Sequence, residues 1–145
     1  MATQAKLGKG TIVKVGDGAS PEVYTAIPEV LTVDGGPGGT AGEVSVLNHD
    51  SVGMWDETLS TLITGNTITV TANWNKTGAS GNTVLLGLKD AVGGAAKNFQ
   101  IILPTTTPET ITFAALVQSF TLSPPTLAQM TASIVLKSTA LPVWS

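Results

Sequence analysis

One short stretch brings together the residue types of a hydrolase triad. His49, Asp50 and Ser51 are consecutive, and His49 is the only histidine of the chain. In a working triad the members come from separate segments, because the base must reach the nucleophile while the acid holds the other side of the imidazole ring. We therefore interpret these three residues as a polar turn and not as a catalytic group.

A glycine pattern at residues 36–41 resembles a dinucleotide-binding loop. Gly36, Gly38 and Ala41 fit the pattern G-x-G-x-x-A directly after the strand-like segment 29–33. Such a loop needs a following helix whose N-terminus faces the pyrophosphate, whereas residues 43–47 alternate like a strand. The pattern therefore predicts a flexible loop without a bound cofactor.

The other titratable residues indicate no further site. A chain with one histidine and no cysteine lacks the usual ligands of a transition-metal site and any thiol nucleophile. Asp56 and Glu57 form the only adjacent acidic pair, and an exposed turn explains them more simply than acid–base catalysis. We predict no catalytic residue, cofactor or metal, and hence no enzyme.

The composition limits the class of protein further. The 145 residues include seven Lys and no Arg against five Asp and five Glu, for a net charge of −3, which leaves few cations for holding phosphates. No apolar run has the length of a signal-peptide core or a membrane span. We expect one domain over residues 1–145, made in the cytoplasm, without stable nucleic-acid binding or a membrane.

Alternating apolar and polar residues predict a mainly β fold. The clearest alternation lies in segments 67–74, 111–117 and 130–137, where every second side chain is apolar. Shorter candidate strands are 11–15, 22–27, 29–33, 43–47 and 99–103. Eight short strands indicate a β-sandwich or a barrel-like sheet.

Three segments depart from this alternation. Residues 82–92 predict one short flanking helix, with Asn82 as N-cap, Gly93 and Gly94 at the end, and an apolar face of Val84, Leu85, Leu88, Ala91 and Val92. Five glycines and a proline within 34–42 predict a long loop, about residues 34–51. Residues 56–63 fit a further turn of helix loosely.

Five segments carry a resemblance to a known family through their order and spacing. They are GTIVKVGDGASPEVYTAIP (10–28), LNHDS (47–51), LITGNTITVTANWN (62–75), FTLSPPT (120–126) and TASIVLKSTALPVW (131–144). Together they are similar to the tail tube, or major tail, proteins of long non-contractile-tailed, lambda-like phages. The resemblance covers nearly the full length and is weakest at residues 76–98.

The resemblance implies a structural virion protein and no enzyme. Family members form hexameric rings that stack into the tail tube, the conduit through which DNA passes without stable binding. The implied partners are other copies of the chain, the tape measure protein, the tail tip or initiator complex and the tail terminator. The implied location is the phage tail, assembled in the host cytoplasm.

The resemblance also implies that the long loop makes contacts between subunits. The glycines at 35–39 make this segment costly to order in a free subunit, while Val44 and Val46 could add a strand to a neighbour's sheet edge. We predict a subunit or ring interface that contains Gly35, Gly36, Gly38, Gly39, Val44, Val46, His49, Asp50 and the next-to-last residue, Trp144.

Two other functions remain open from the sequence. The first is the inner-tube protein of a contractile tail or related injection machine, which shares the ring-forming fold. The second is a carbohydrate-binding module that uses Trp55, Trp74 or Trp144 as stacking surfaces, although Trp74 alternates with core positions.

Overall fold

The computed structural model describes residues 8–46, 53, 57–74 and 81–145. Within these residues it contains one helix and ten strands. They are β1 (Ile12–Gly16), β2 (Tyr24–Ala26), β3 (Val30–Asp34), β4 (Gly39–Ser45), β5 (Thr58–Gly65), β6 (Thr67–Asn73), α1 (Gly81–Asp90), β7 (Lys97–Leu103), β8 (Glu109–Ser123), β9 (Thr131–Ser138) and β10 (Val143–Trp144). None of the helical residues described belongs to a helix long and apolar enough to cross a membrane.

Eight of these strands form one antiparallel sheet, which must curl. The strand order is β2-β1-β7-β8-β9-β6-β3, with β10 paired to β8 off this path. A flat sheet would hold β2 and β3 about 29 Å apart, at about 4.8 Å per strand. Only residues 27–29 join these two strands, and such a connection spans at most about 14 Å. The ends of the sheet therefore approach one another, which gives the predicted sandwich-like shape.

The apolar face of this sheet lies on the inside of the curl. In the strand register Val13 stands opposite Ile101, which in turn stands opposite Ile111, and all three are buried. Phe99 and Phe113 are also opposite each other, with ring centroids 5.8 Å apart. Each large side chain buried in this way contributes about 1.5–3 kcal/mol relative to an exposed one. The alternation predicted for segments 67–74, 111–117 and 130–137 is confirmed.

A bulge in β8 changes which of its side chains face the core. The register shifts between Val117 and Ser119, so that inward positions are odd-numbered before the bulge and even-numbered after it. Phe120 consequently turns inward and meets Trp74 edge to face at 6.0 Å. Trp74 is thus a packing residue, which removes it as a carbohydrate-stacking surface.

The single described helix agrees with the prediction in position but differs at its start. Leu85 and Leu88 are buried, and Gly93 has a positive φ of 76° just beyond the helix end. The helix begins at Gly81, so Asn82 lies inside the first turn and is not the N-cap predicted for it. Val92 lies beyond the last helical turn and is exposed.

Part of the predicted loop 34–51 is regular structure. Asp34 ends β3 and residues 39–45 form β4, so only residues 35–38 connect the two strands. Residues 47–51 lie outside the described residues. The turn of helix predicted at 56–63 is wrong, because residues 58–65 form β5 and pair with β4. The glycine content of residues 34–42 predicts a flexible backbone, but it does not reveal that residues 39–45 pair with a strand about 20 residues further along the chain.

Glycine at position 65 is required by a close crossing of two strands. A β-carbon built on Gly65 would overlap the carbonyl oxygen of Ser138 in the neighbouring β9 end. Gly36, in the connection between β3 and β4, has open space around it. These two glycines therefore form a matched pair for substitution.

We predict that Gly65→Ala lowers the free energy of unfolding by about 3 kcal/mol, because a backbone atom must move to admit the methyl group. Gly36→Ala should change it by less than about 0.5 kcal/mol. Urea unfolding measures both values. Equal free energies of unfolding for the two variants would contradict the close approach of Gly65 to Ser138.

The turn between β1 and β2 is organised by two carboxylates. Asp17 Oδ1 accepts hydrogen bonds from the backbone N–H groups of Ala19 (2.9 Å) and Val23 (3.1 Å). Glu22 Oε2 accepts from Asn98 Nδ2 (2.7 Å) and from the Tyr24 hydroxyl (3.1 Å). The backbone donors lower the pKa of Asp17, while burial and then Glu22 raise the pKa of Tyr24.

The lowered pKa of Asp17 predicts an acid-sensitive turn. A carboxyl whose pKa is lower in the folded than in the unfolded state stabilises the fold at pH values above its ordinary pKa of about 4. This stabilisation is lost as the pH falls through the pKa of the folded state. Asp17→Asn should therefore melt below the wild type at pH 7, and the difference should narrow below about pH 4. Thermal unfolding monitored by circular dichroism tests this. A difference that stays constant over this range would refute it.

Candidate functional site

Strands β4 and β5 form a hairpin apart from the main sheet. We call residues 39–46 and 57–65 the arm. Val44 stands opposite Leu59 and Ala41 opposite Ile63, and Val46 N–H donates to the Glu57 carbonyl at 2.6 Å beyond the last paired residues. A two-stranded hairpin is marginally stable alone in water, so the arm needs further contacts to be well ordered.

The arm has one apolar and one polar face. The register shifts between Ala41 and Glu43, where β5 has one residue more than β4, so Ile63 lies on the face of Ala41 whereas Leu59 lies on the face of Val44. The apolar face contains Val44, Val46, Leu59 and Leu62, together with Thr40, Thr61 and Thr64. The polar face contains Glu43, Ser45, Thr58 and Ser60, together with Ala41 and one large apolar residue, Ile63.

The apolar face of the arm is open to solvent. Leu59 is 60% exposed and Leu62 is 86% exposed, while Val44 and Val46 are also exposed. A contiguous apolar patch of this kind on a surface hairpin is typical of an interaction site, whereas single exposed apolar residues are ordinary. The arm is therefore the strongest candidate for a contact surface.

Asn66 fixes the base of the arm to the main sheet. Its backbone N–H donates to the Gly38 carbonyl and its carbonyl accepts from Ser138 N–H, both at 3.0 Å. Its side-chain Oδ1 accepts from the Thr40 hydroxyl at 2.9 Å. A β-carbon at Gly35 or Gly39 would press on Thr67 or Ile63. These glycines thus permit close packing at the base, a role that the predicted flexible loop did not include.

The structure brings most of the predicted interface residues to the arm. Gly35, Gly36 and Gly38 lie in the connection that leads into it, Gly39 and Val44 lie in β4, and Val46 follows β4 directly. His49 and Asp50 lie outside the described residues, so their grouping with Ser51 stays an interpretation. Trp144 lies elsewhere, in β10.

Trp144 belongs to a second exposed apolar surface near the chain end. It stands opposite Ile111 of β8, and Ser145 N–H and carbonyl pair with Thr110 at 2.9 Å each. Trp144 is 59% exposed and lies next to exposed Val143 and Leu141. Backbone pairing therefore holds the indole in place while most of its surface stays open.

The sequence-based prediction of the interface missed Leu59 and Leu62. The segment 57–65 alternates weakly, and the spacing of Trp55, Leu59 and Leu62 suggested a turn of helix. The signal that could have identified these residues is their pairing with the alternating segment 43–47. Such a pairing follows from no local pattern.

The arm offers apolar side chains and free backbone groups more than titratable ones. Among the described residues no group of three or more His, Cys, Asp and Glu side chains is placed to hold a metal ion. The ionisable groups in the arm, Glu43 and Glu57, have no described basic residue of the arm beside them.

Comparisons with known proteins agree with the architecture. No protein-family model matches the sequence, and no curated protein sequence matches it. Solved structures do match. The tail of an empty gene transfer agent particle is similar with a TM-score of 0.72 and 16% identity, over 97% of this chain and 99% of that chain.

Two further structures extend this similarity to other assemblies. The SPP1 tail tube matches with a TM-score of 0.64 and 15% identity, over 94% of this chain and 77% of that chain. A sheath/tube terminator structure of an extracellular contractile injection system (PVC) matches with a TM-score of 0.70 and 15% identity, over 99% of both chains. The chain therefore has the fold shared by these tail and tube proteins.

Proposed function

We propose that this chain is a tail tube protein: a structural virion protein whose copies form rings that stack into the phage tail tube. The observation that carries the proposal is the arm, an anchored hairpin whose apolar face is open in the single chain. The fold shared with tail and tube proteins supports the same role. The function is structural and requires no catalytic residue.

The finer form of the proposal is a hexameric ring in a long non-contractile tail. The gene transfer agent tail that shares the fold was solved with C6 symmetry, which favours six copies per ring. The similarity to contractile injection systems supports the alternative, an inner tube within a sheath. Electron microscopy of tubes assembled with a candidate sheath protein distinguishes the two, since only an inner tube acquires a sheath layer.

The proposed interface extends from the arm to both of its flanking regions. It contains the sequence-predicted residues Gly35, Gly36, Gly38, Gly39, Val44 and Val46, and we add Leu59 and Leu62 from the apolar face of the arm. His49 and Asp50 are assigned to it from the sequence, and Trp144 to a second contact. Residues 1–145 then act as one tube domain.

The proposed partners follow from the place of a tube in a virion. The chain binds other copies of itself, the tape measure protein inside the tube, the initiator complex at the tail tip and the terminator at the other end. DNA passes through the lumen without stable binding. The protein is made and assembled in the host cytoplasm and resides in the phage tail.

The apolar face of the arm predicts which leucine matters for assembly. Leu59→Ser should stop tube growth, or slow it at least tenfold, because it removes apolar contact area from the interface. Ile63→Ser is the matched control on the opposite face of the same strand. Both residues are exposed, so both variants should keep the wild-type melting temperature. Turbidity and negative-stain microscopy measure growth, and equal growth of the two variants would refute the role of this face.

The charge of the chain predicts a lumen that does not hold DNA. Lys14 and Lys137 lie on the outward face of the main sheet, and Lys89 lies 3.9 Å from Asp90. Seven lysines per chain are opposed by ten carboxylates, so the net charge of the chain disfavours binding of phosphates. Assembled tubes should bind short duplex DNA with a Kd weaker than about 100 μM at physiological salt. Salt-sensitive co-sedimentation of DNA with tubes at micromolar concentrations would refute this expectation.

A further inference from the structure

The main sheet ends in a free edge that is bordered by a groove. β3 is the last strand in the sheet order, so one side of its backbone pairs with β6 and the other side pairs with none of the described strands. A groove of about 470 Å³ lies along this free side. Its lining comprises four consecutive residues of β3, Val30–Val33, and the opposite wall, Gly8–Thr11. Four consecutive residues on one wall mean that the groove follows the strand edge.

The second wall of the groove is held in shape before any partner binds. Thr11 donates its N–H (3.2 Å) and its hydroxyl (2.7 Å) to the carbonyl of Gly8, closing a tight turn. Gly10 supports this turn with a φ of 97°. Free backbone groups on β3 and a formed wall opposite them make a receptor for an extended strand.

The arm has the properties of a strand that fits this groove. β5 has one side free of pairing, because it pairs only with β4 in its two-stranded sheet. It carries the exposed Leu59 and Leu62, and Leu31 at the groove is exposed as well. Glu57 stands next to the start of β5, and the only charged residue in the groove lining is Lys9. Strand β5 and the groove are therefore complementary in three respects: unpaired backbone edges, exposed apolar side chains and opposite charge.

We propose that the groove beside β3 binds strand β5 of the arm from a second copy of the chain. The described lining of the groove contains no residue of the arm, so the arm of the same chain does not occupy the groove. Arm and groove are different surfaces, and a contact between them is head-to-tail, which leaves one arm and one groove free for further copies. The inference rests on the proposed tube function and names the surface that the arm contacts.

Engineered cysteines test this contact cleanly, because the chain has no cysteine of its own. The test variant carries Leu31→Cys at the groove and Thr61→Cys on β5. The matched control carries Leu127→Cys, at a loop residue that is 98% exposed, together with Thr61→Cys. Each is incubated under assembly conditions, treated with a short thiol crosslinker, and examined by denaturing gel and by electron microscopy.

The test variant should give a ladder of covalent oligomers extending beyond the dimer, with at least tenfold more product than the control. Tubes without a ladder would overturn the groove contact while the tube function stands. A ladder without tubes would support the contact and count against the tube function, and absence of both would count against both. A crosslinked monomer without a ladder would show that the groove takes the arm of its own chain and would overturn the inference.

Discussion

The structure depends on burying one face of an eight-stranded sheet, and the described part of the chain contains no second large sheet to cover that face. Val13, Phe99, Phe113 and Ile134 all project from the same face, so the only way to remove them from water is to curl the sheet around them. The three-residue connection between β2 and β3 enforces this curl. α1 then covers the part of the core that the curl leaves open, with Leu85 and Leu88.

This solution leaves two strands outside the core. β4 and β5 pair with each other and present apolar side chains to solvent, although the same chain buries similar side chains elsewhere. Asn66 and the crossing at Gly65 direct these two strands away from β9. In the described part of the chain their apolar face therefore stays uncovered.

Much of this fold follows from the sequence, and the exceptions have a common cause. The alternation in 67–74 and the spacing of Leu85 and Leu88 are local periodicities, so they predict a strand and a helix whichever part of the chain packs against them. The error at 56–63 and the missed Leu59 and Leu62 concern a segment that becomes a strand only through its pairing with β4. The sequence shows where glycines occur but not which structural role they have. Considered singly, Gly35, Gly39 and Gly65 predict a flexible backbone, whereas the structure shows that a side chain at these positions would overlap neighbouring atoms.

The hydrogen bonds at Asn66 have a consequence for the geometry of the proposed polymer. They form within one chain, so the angle between arm and body is determined before a partner arrives. In an assembly whose repeats are joined through that arm, the same angle recurs at every subunit and adds up along the length. A change of a few degrees at one amide would then alter the pitch and straightness of a tube many rings long, without changing any residue that touches a neighbour.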